Sequence, residues 1–251
     1  MSIYKKKRLD RLLVESGLAA TRSRAADLIR RGCVKVTGEP ELKPGALVAP
    51  DAELAVSPEA SPYVSRAGLK LEAALDAFDF DPKGRVALDI GASTGGFTDV
   101  LIARRATKVY AVDVGSGQLH AKLRVNRKVV SLEVMDARRL DSSVIREAVG
   151  AIVADVSFIS LTLALPAALR LAASGAWLVA LIKPQFEAGR EAVGKGGIVR
   201  NAADRKKAVE RVQAFIKEAG WTVAGVIPSP ILGGSGNEEF LIGAVHAMGP
   251  A

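Results

Sequence analysis

Asp89-Ile90-Gly91-Ala92-Ser93-Thr94-Gly95-Gly96-Phe97 is the stretch on which the fold turns. It follows an apolar run from Arg85 to Ile90 and leads into a helical pattern after Gly96. Small residues at a strand-to-helix turn let a ligand approach the backbone and leave helix N–H groups free to bind it. The next apolar run, Lys108 to Asp113, closes on an acid 22 residues after Gly91, where a carboxylate can take two ribose hydroxyls. A dinucleotide site would need G-x-G-x-x-G here to seat a pyrophosphate. The spacing is instead G-x-x-x-G-G, and Asp89, two residues before its first glycine, would repel pyrophosphate while suiting an ammonium group. The turn therefore reads as a site for S-adenosyl-L-methionine, built from Asp89, Gly91, Ser93, Thr94, Gly95, Gly96, Phe97 and Asp113. Asp136, in Met135-Asp136-Ala137, is a candidate acceptor for the adenine amino group.

Outward from this turn, strand and helix patterns alternate. Arg85 to Ile90, Lys108 to Asp113, Val129 to Val134, Ala151 to Asp155 and Trp177 to Lys183 read as strands, and helical patterns follow Gly96, Asp141, Ser160 and Asn201. Such alternation predicts an α/β fold with a doubly wound, mostly parallel, Rossmann-like sheet. Trp221 to Ile227 and Glu239 to His246 are joined by a glycine-rich stretch and no helix, which predicts an edge hairpin with an antiparallel last strand. Ligands bind at the carboxyl edge of such sheets. Asp155, Lys183 and Glu239 all fall on that edge, and Lys70 precedes the first strand on a helix that could cover it. Surface ion pairs would be the plainer account of these four. Lys183, however, directly follows the apolar run Leu178 to Ile182, and burial there would favour the neutral amine of a general base.

The front of the chain has a different character. The 251 residues carry a net charge of +8, which points to a polyanionic partner. Ten basic residues fall at or before Lys35, against three acids, and the sign reverses between Val36 and Ala60. Leu9, Leu12 and Leu13 recur at helical spacing up to Gly17; a second helix is expected from Thr21 to Gly32, then a strand through Val34 and Val36. Ser57-Pro58-Glu59-Ala60-Ser61-Pro62 reads as a linker, dividing the chain into a small α+β domain over 1–60 and a larger one over 61–251. Lys5, Lys6, Lys7, Arg8, Arg22, Arg24, Arg30 and Arg31 form a basic cluster suited to RNA phosphates, and Arg66 lies just past the linker.

Several classes are excluded. One cysteine, Cys33, and two histidines leave no disulfide framework and too few soft ligands for structural zinc, so no metal is expected and Cys33 reads as a buried, inert thiol. The basic N-terminus is followed by an amphipathic pattern and not by a signal-peptide core. Pro166, Arg170, Ser174 and Gly175 divide the most apolar stretch, Leu161 to Ile182, into pieces too short to span a bilayer. A cytoplasmic enzyme with no membrane partner is the expectation.

Two sets of motifs resemble known families. Arg8-Leu9-Asp10-Arg11-Leu12-Leu13, Gly17-Leu18, Arg22-Ser23-Arg24-Ala25, Gly32-Cys33-Val34-Lys35-Val36 and Lys43-Pro44-Gly45 resemble the RNA-binding domain first known from ribosomal protein S-four. Tyr63-Val64-Ser65-Arg66, Asp89 to Phe97, Asp113-Val114-Gly115, Asp155 to Ser160, Lys183 to Arg190, Gly194-Lys195-Gly196-Gly197 and Gly236-Asn237-x-Glu239 resemble the TlyA family, haemolysin-like methyltransferases related to the FtsJ type. That resemblance implies 2′-O-methylation of cytidine in ribosomal RNA, with ribosomal RNA or ribosomal subunits as partner, by a tetrad of Lys70, Asp155, Lys183 and Glu239. The Asn-x-Glu spacing selects Glu239 over its neighbour Glu238 for the fourth place. Two other classes compete: a membrane-active haemolysin, which liposome leakage would reveal, and a ribosome-assembly factor with a vestigial donor site, which would transfer no labelled methyl group. The residues do not select the modified nucleotide, the ribosomal subunit or the oligomeric state.

Overall fold

The computed structural model describes residues 6–19, 22–30, 32–39, 42–57, 62–233 and 236–247. The chain divides into two compact units, Met1–Pro62 and Tyr63–Ala251. In the first, strand β1 (Lys7–Arg8) runs into helix α1 (Leu9–Glu15), followed by α2 (Arg22–Arg30), β2 (Val34–Val36), β3 (Leu47–Val48) and β4 (Leu54–Val56). β1 pairs with β3 and β2 with β4, both antiparallel. Leu9, Leu12 and Leu13 of α1 meet Ala25, Leu28 and Ile29 of α2, Cys33, and the alternating Val34 and Val36 in one small core.

The second unit is a seven-stranded sheet with helices on both faces. Its elements in chain order are α3 (Ala67–Phe78), β5 (Val86–Ile90), α4 (Gly96–Ala103), β6 (Lys108–Val112), α5 (Ala121–Arg124), β7 (Val129–Leu132) and β8 (Val149–Ala154), then α6 (Leu161–Ala164), α7 (Pro166–Leu169), β9 (Ala172–Ile182), α8 (Pro184–Glu187), α9 (Ala202–Glu218), β10 (Trp221–Pro228) and β11 (Phe240–His246). The order across the sheet is β10-β11-β9-β8-β5-β6-β7, all parallel except β11, which runs against both its neighbours. Alternation along β5 sorts its side chains: Leu88 and Ile90 join the core under α6, α7 and α9, while Ala87 joins the core under α3 and α4. The mostly parallel sheet with an antiparallel last strand is the one the sequence pattern predicts. The last strand itself lies inside the sheet, and β10 forms the edge.

One expected helix is absent. After Asp141 the chain makes a single turn and enters β8 at Val149. The Asp141 carboxylate accepts from the backbone N–H of Ser143 at 2.8 Å and from the Ser143 hydroxyl. Asp and Ser side chains thus take the local hydrogen bonding that a helix would need, and too few residues remain to build one. Conversely, α5 escapes the periodicity because it is four residues long; the His120 ring caps it by accepting from Lys122 N–H. No helix among the described residues is long and apolar enough to cross a membrane.

Candidate active site

β5 has β6 on one side and β8 on the other, so the strand order reverses between β5 and β8. The crevice beyond their carboxyl ends is where α/β sheets bind ligands. Gly91 leaves β5 there with φ +79, and a side chain at this position would meet the carbonyl of Asp155 at 2.5 Å, so the two strand ends can abut only with glycine present. Beyond it, Ser93 N–H donates to the Asp113 carboxylate at 2.8 Å and Gly115 N–H donates to the other oxygen at 2.7 Å. Asp113 thereby ties the β5 and β6 loops together at the mouth of a cavity of about 450 Å³. Its walls include Gly91, Ser93, Asp113, Gln118, Met135, Asp136 and Phe158.

A second cavity of about 320 Å³ shares Gly91, Ser93, Asp155 and Ser157 with the first and extends to Ser65, Arg66, Lys70, Thr94, Gly96 and Lys183. Val64 N–H donates to the buried Asp99 carboxylate at 2.9 Å, which fixes the Tyr63–Arg66 segment against α4. The four residues predicted at the sheet edge form two ion pairs here. Lys70 Nζ lies 2.5 Å from Glu239 and Lys183 Nζ lies 2.7 Å from Asp155, with Lys183 also donating to the Ser157 hydroxyl at 2.8 Å. Lys70 and Glu239 are both buried. Strand register explains part of this: Phe240 of β11 pairs with Ile182 of β9, so Glu239 and Lys183 each lie one step beyond the same rung. Glu238 points elsewhere and pairs with Arg205 at 3.2 Å.

The other predicted residues take varied places. Asp89 lies beneath the turn, fully buried, with Oδ2 accepting from the Thr98 hydroxyl at 2.6 Å and Oδ1 without a hydrogen-bond partner among the described residues. Burial first, and then the nearby Asp155 and Asp113 charges, push its pKa up to about 7 against the pull of Thr98. Asp136 lines the first cavity, but its carboxylate is clasped by the Arg138 guanidinium and backbone N–H, which hold it below the usual range. Phe97 is buried in the core under α3 and α4 and also lines the second cavity.

In the first unit, Lys6, Lys7, Arg8, Arg22 and Arg30 are exposed. Arg8 and Arg22 both reach the buried Asp10, at 2.8 and 3.0 Å, and Lys7 pairs with Glu15. Lys5, Arg31 and the side chain of Arg24 lie outside the described residues. Arg66 is exposed and lines the second cavity.

Sequence reasoning passed over Phe158. It is 92% exposed on the rim of the first cavity, tilted against Phe186 at 5.3 Å between ring centres, with φ +66. A bulky residue in the left-handed region is strained, and such strain gathers at functional sites. Only the Asp155-Val156-Ser157-Phe158 motif could have flagged it. No group of three or more His, Cys, Asp or Glu among the described residues could hold a metal ion.

Comparison with known proteins follows the two units. The FtsJ-like methyltransferase family matches residues 63–245, and the S4 domain family matches residues 7–54. The 16S/23S rRNA (cytidine-2′-O)-methyltransferase TlyA of Mycobacterium tuberculosis is 45% identical over 94% of this chain and 88% of its own length. Hemolysin A of Brachyspira hyodysenteriae is 40% identical over 93% of this chain and 98% of its own. A solved chain from Streptococcus thermophilus, provisionally named a hemolysin, superposes with a TM-score of 0.75 at 43% identity, covering 98% of this chain and 90% of that one.

Proposed function

The chain belongs to the FtsJ-like methyltransferase family, and on that premise we propose that it transfers a methyl group from S-adenosyl-L-methionine to a ribose 2′-hydroxyl of cytidine in ribosomal RNA. The observation that carries this reading is the joining of two cavities at the strand switch point. One is of small-molecule size with an aspartate at its mouth, and the other is lined by paired lysines and carboxylates.

The first cavity fits the donor. Gly91 lets the two strand ends meet at its floor, Asp113 offers its remaining lone pairs to a ribose, and Asp136 on its wall accepts from a base amino group. The unpartnered Oδ1 of Asp89 leaves a buried acceptor beneath the turn, suited to an ammonium. When bound, the donor supplies a methyl group already activated on a sulfonium.

The protein's remaining tasks are orientation and proton removal. Lys183 takes the proton of the ribose hydroxyl, and Asp155 holds it toward the wall that the two cavities share. Lys70 presents a positive charge to the developing alkoxide, and Glu239 holds Lys70 in place. The exposed Phe158 ring, on the rim of the donor cavity, offers a face for stacking an unstacked base. Lys6, Lys7, Arg8, Arg22 and Arg30 supply a cationic surface for RNA phosphates, with Arg66 beside the acceptor cavity.

Transfer of a labelled methyl group onto ribosomal RNA or ribosomal subunits tests the reading, with calorimetric donor titration alongside. Asp113→Ala should weaken donor binding by about 1–3 kcal/mol, the worth of hydrogen bonds to a charged group. Donor binding without any transfer to RNA would contradict the acceptor assignment.

A further inference from the structure

Three consecutive residues at the entry to β11 reach in three directions. Glu239 pairs with Lys70 and Glu238 with Arg205, while Asn237, only 1% exposed, grips the Gly194–Arg200 loop. Asn237 Oδ1 accepts from Val199 N–H at 3.0 Å and its Nδ2 donates to the Gly197 carbonyl at 2.8 Å. A buried amide left without partners is costly, so these two bonds fix the loop against the strand.

Arg205 donates to the carbonyls of Val199 and Arg200, at 3.2 and 2.7 Å. Within the loop, Gly194 N–H donates to the Ile198 carbonyl and Gly197 N–H to the Gly194 carbonyl. The carbonyls of 194, 197, 198, 199 and 200 are therefore all engaged. Among the described residues, the amides of Lys195, Gly196, Ile198 and Arg200 make no hydrogen bond. Gly196 and Gly197 turn the chain through successive positive φ values, +80 and +76, and the side chains of Lys195 and Arg200 are exposed. Among the described residues, only the carbonyls of Lys195 and Gly196 stay open against four open amides and two cations, an excess of donors that suits an anion-binding turn. α8 begins directly after Lys183, and the loop follows eleven residues beyond that lysine.

We propose that Gly194–Arg200 binds a phosphate of the acceptor RNA strand, and that Asn237 is the positioning residue that keeps this loop in register with Glu239. The inference rests on the RNA methyltransferase reading. Its test is RNA affinity of the full chain carrying Lys195→Gln with Arg200→Gln, measured on ribosomal RNA across a salt series. Affinity should fall roughly tenfold near 0.1 M salt, with donor affinity unchanged. The slope of log affinity against log salt should shallow by about one for each phosphate-neutralising cation removed.

Asn237→Ala should weaken RNA binding to a similar degree. Combining all three changes should add little further loss, because Asn237 acts through the loop; a purely structural effect would add to the surface changes. If Asn237→Ala does not fold, the surface pair still decides the loop's role. An unchanged affinity and slope in the Lys195/Arg200 variant, beside a wild type that binds and methylates the same RNA, would overturn the proposal. A wild type that transfers nothing to RNA would overturn the functional reading instead.

Discussion

Asp10 in the small unit and Glu239 in the large one are both acids only 4% exposed, and both are paired with bases, yet they sit in opposite kinds of site. The Lys70 side chain opposite Glu239 is 10% exposed, so that pair is closed on both sides. Arg8 and Arg22 opposite Asp10 are 45% and 52% exposed. Asp10 thus anchors two guanidinium groups that still face solvent. The difference is one of purpose: a closed pair holds a charge at one point beside a cavity, while a half-open one presents cations over a surface. Which partner is buried, and not the ion pair as such, indicates what each arrangement can serve.

The Lys183–Asp155 pair, which lines the cavity, should show the largest effect. Lys183→Ala should lower single-turnover methyl transfer by about 10²–10⁴ while donor affinity stays near wild type, because the side chain acts on the hydroxyl. Lys183→Arg should be almost as damaging, since guanidinium cannot accept the proton. An arginine variant with near wild-type rate would make Lys183 a positioner only.

Removing the two acids should sharpen the contrast in stability. Glu239→Ala strands the buried charge of Lys70 and should cost about 3–5 kcal/mol in urea unfolding. Asp10→Ala leaves Arg8 and Arg22 free to be solvated and should cost about 1–2 kcal/mol, mostly from lost hydrogen bonds. Equal losses would remove the distinction between closed and half-open pairs.

A smaller effect lies in pH dependence, where two aspartates act with opposite sign. Hydrogen bonds and charge from Arg8 and Arg22 hold Asp10 well below the usual range, so its contribution is fully present above about pH 4 and is lost as pH falls below that. Asp89 is raised to about 7, so the folded state holds a proton that the unfolded state has released between about pH 4 and 7. Stability from this group therefore declines as pH rises through that window and is flat above it. Thermal unfolding of Asp89→Asn against wild type from pH 4 to 8 checks this: the variant should lack that decline. A bound cation should favour the ionised carboxylate, so donor affinity should weaken below pH 7 in wild type only.

The sheet was legible because its strands are buried apolar runs and its turns carry glycine at fixed places. Asp113 and Lys183 could be placed from strand ends alone, since a residue just past a parallel strand has only one edge to occupy. Other features depended on packing that no local pattern encodes. The Phe97 ring is turned into the core by helix geometry, and Asp89 is set beneath the cavity floor by strand alternation. The helix expected after Asp141 gave way to a side-chain turn. Arg8 and Arg22 read as two of many surface cations until Asp10, acidic and distant from Arg22 in sequence, proved to lie between them. Phe158 carried no signal in its residue type; its exposure and backbone conformation single it out.

The central claim is the acceptor atom, and alkaline hydrolysis of the modified RNA tests it most directly. A methyl group on the ribose 2′-oxygen removes the nucleophile for cleavage of the adjacent 3′ phosphodiester. Ribosomal RNA labelled by the wild-type protein should therefore resist alkaline cleavage at each labelled cytidine, and RNA treated with Lys183→Ala should cleave there normally. Label incorporated at a site that still cleaves would place the methyl group on a base and contradict the assignment of Lys70, Asp155, Lys183 and Glu239 to a ribose hydroxyl.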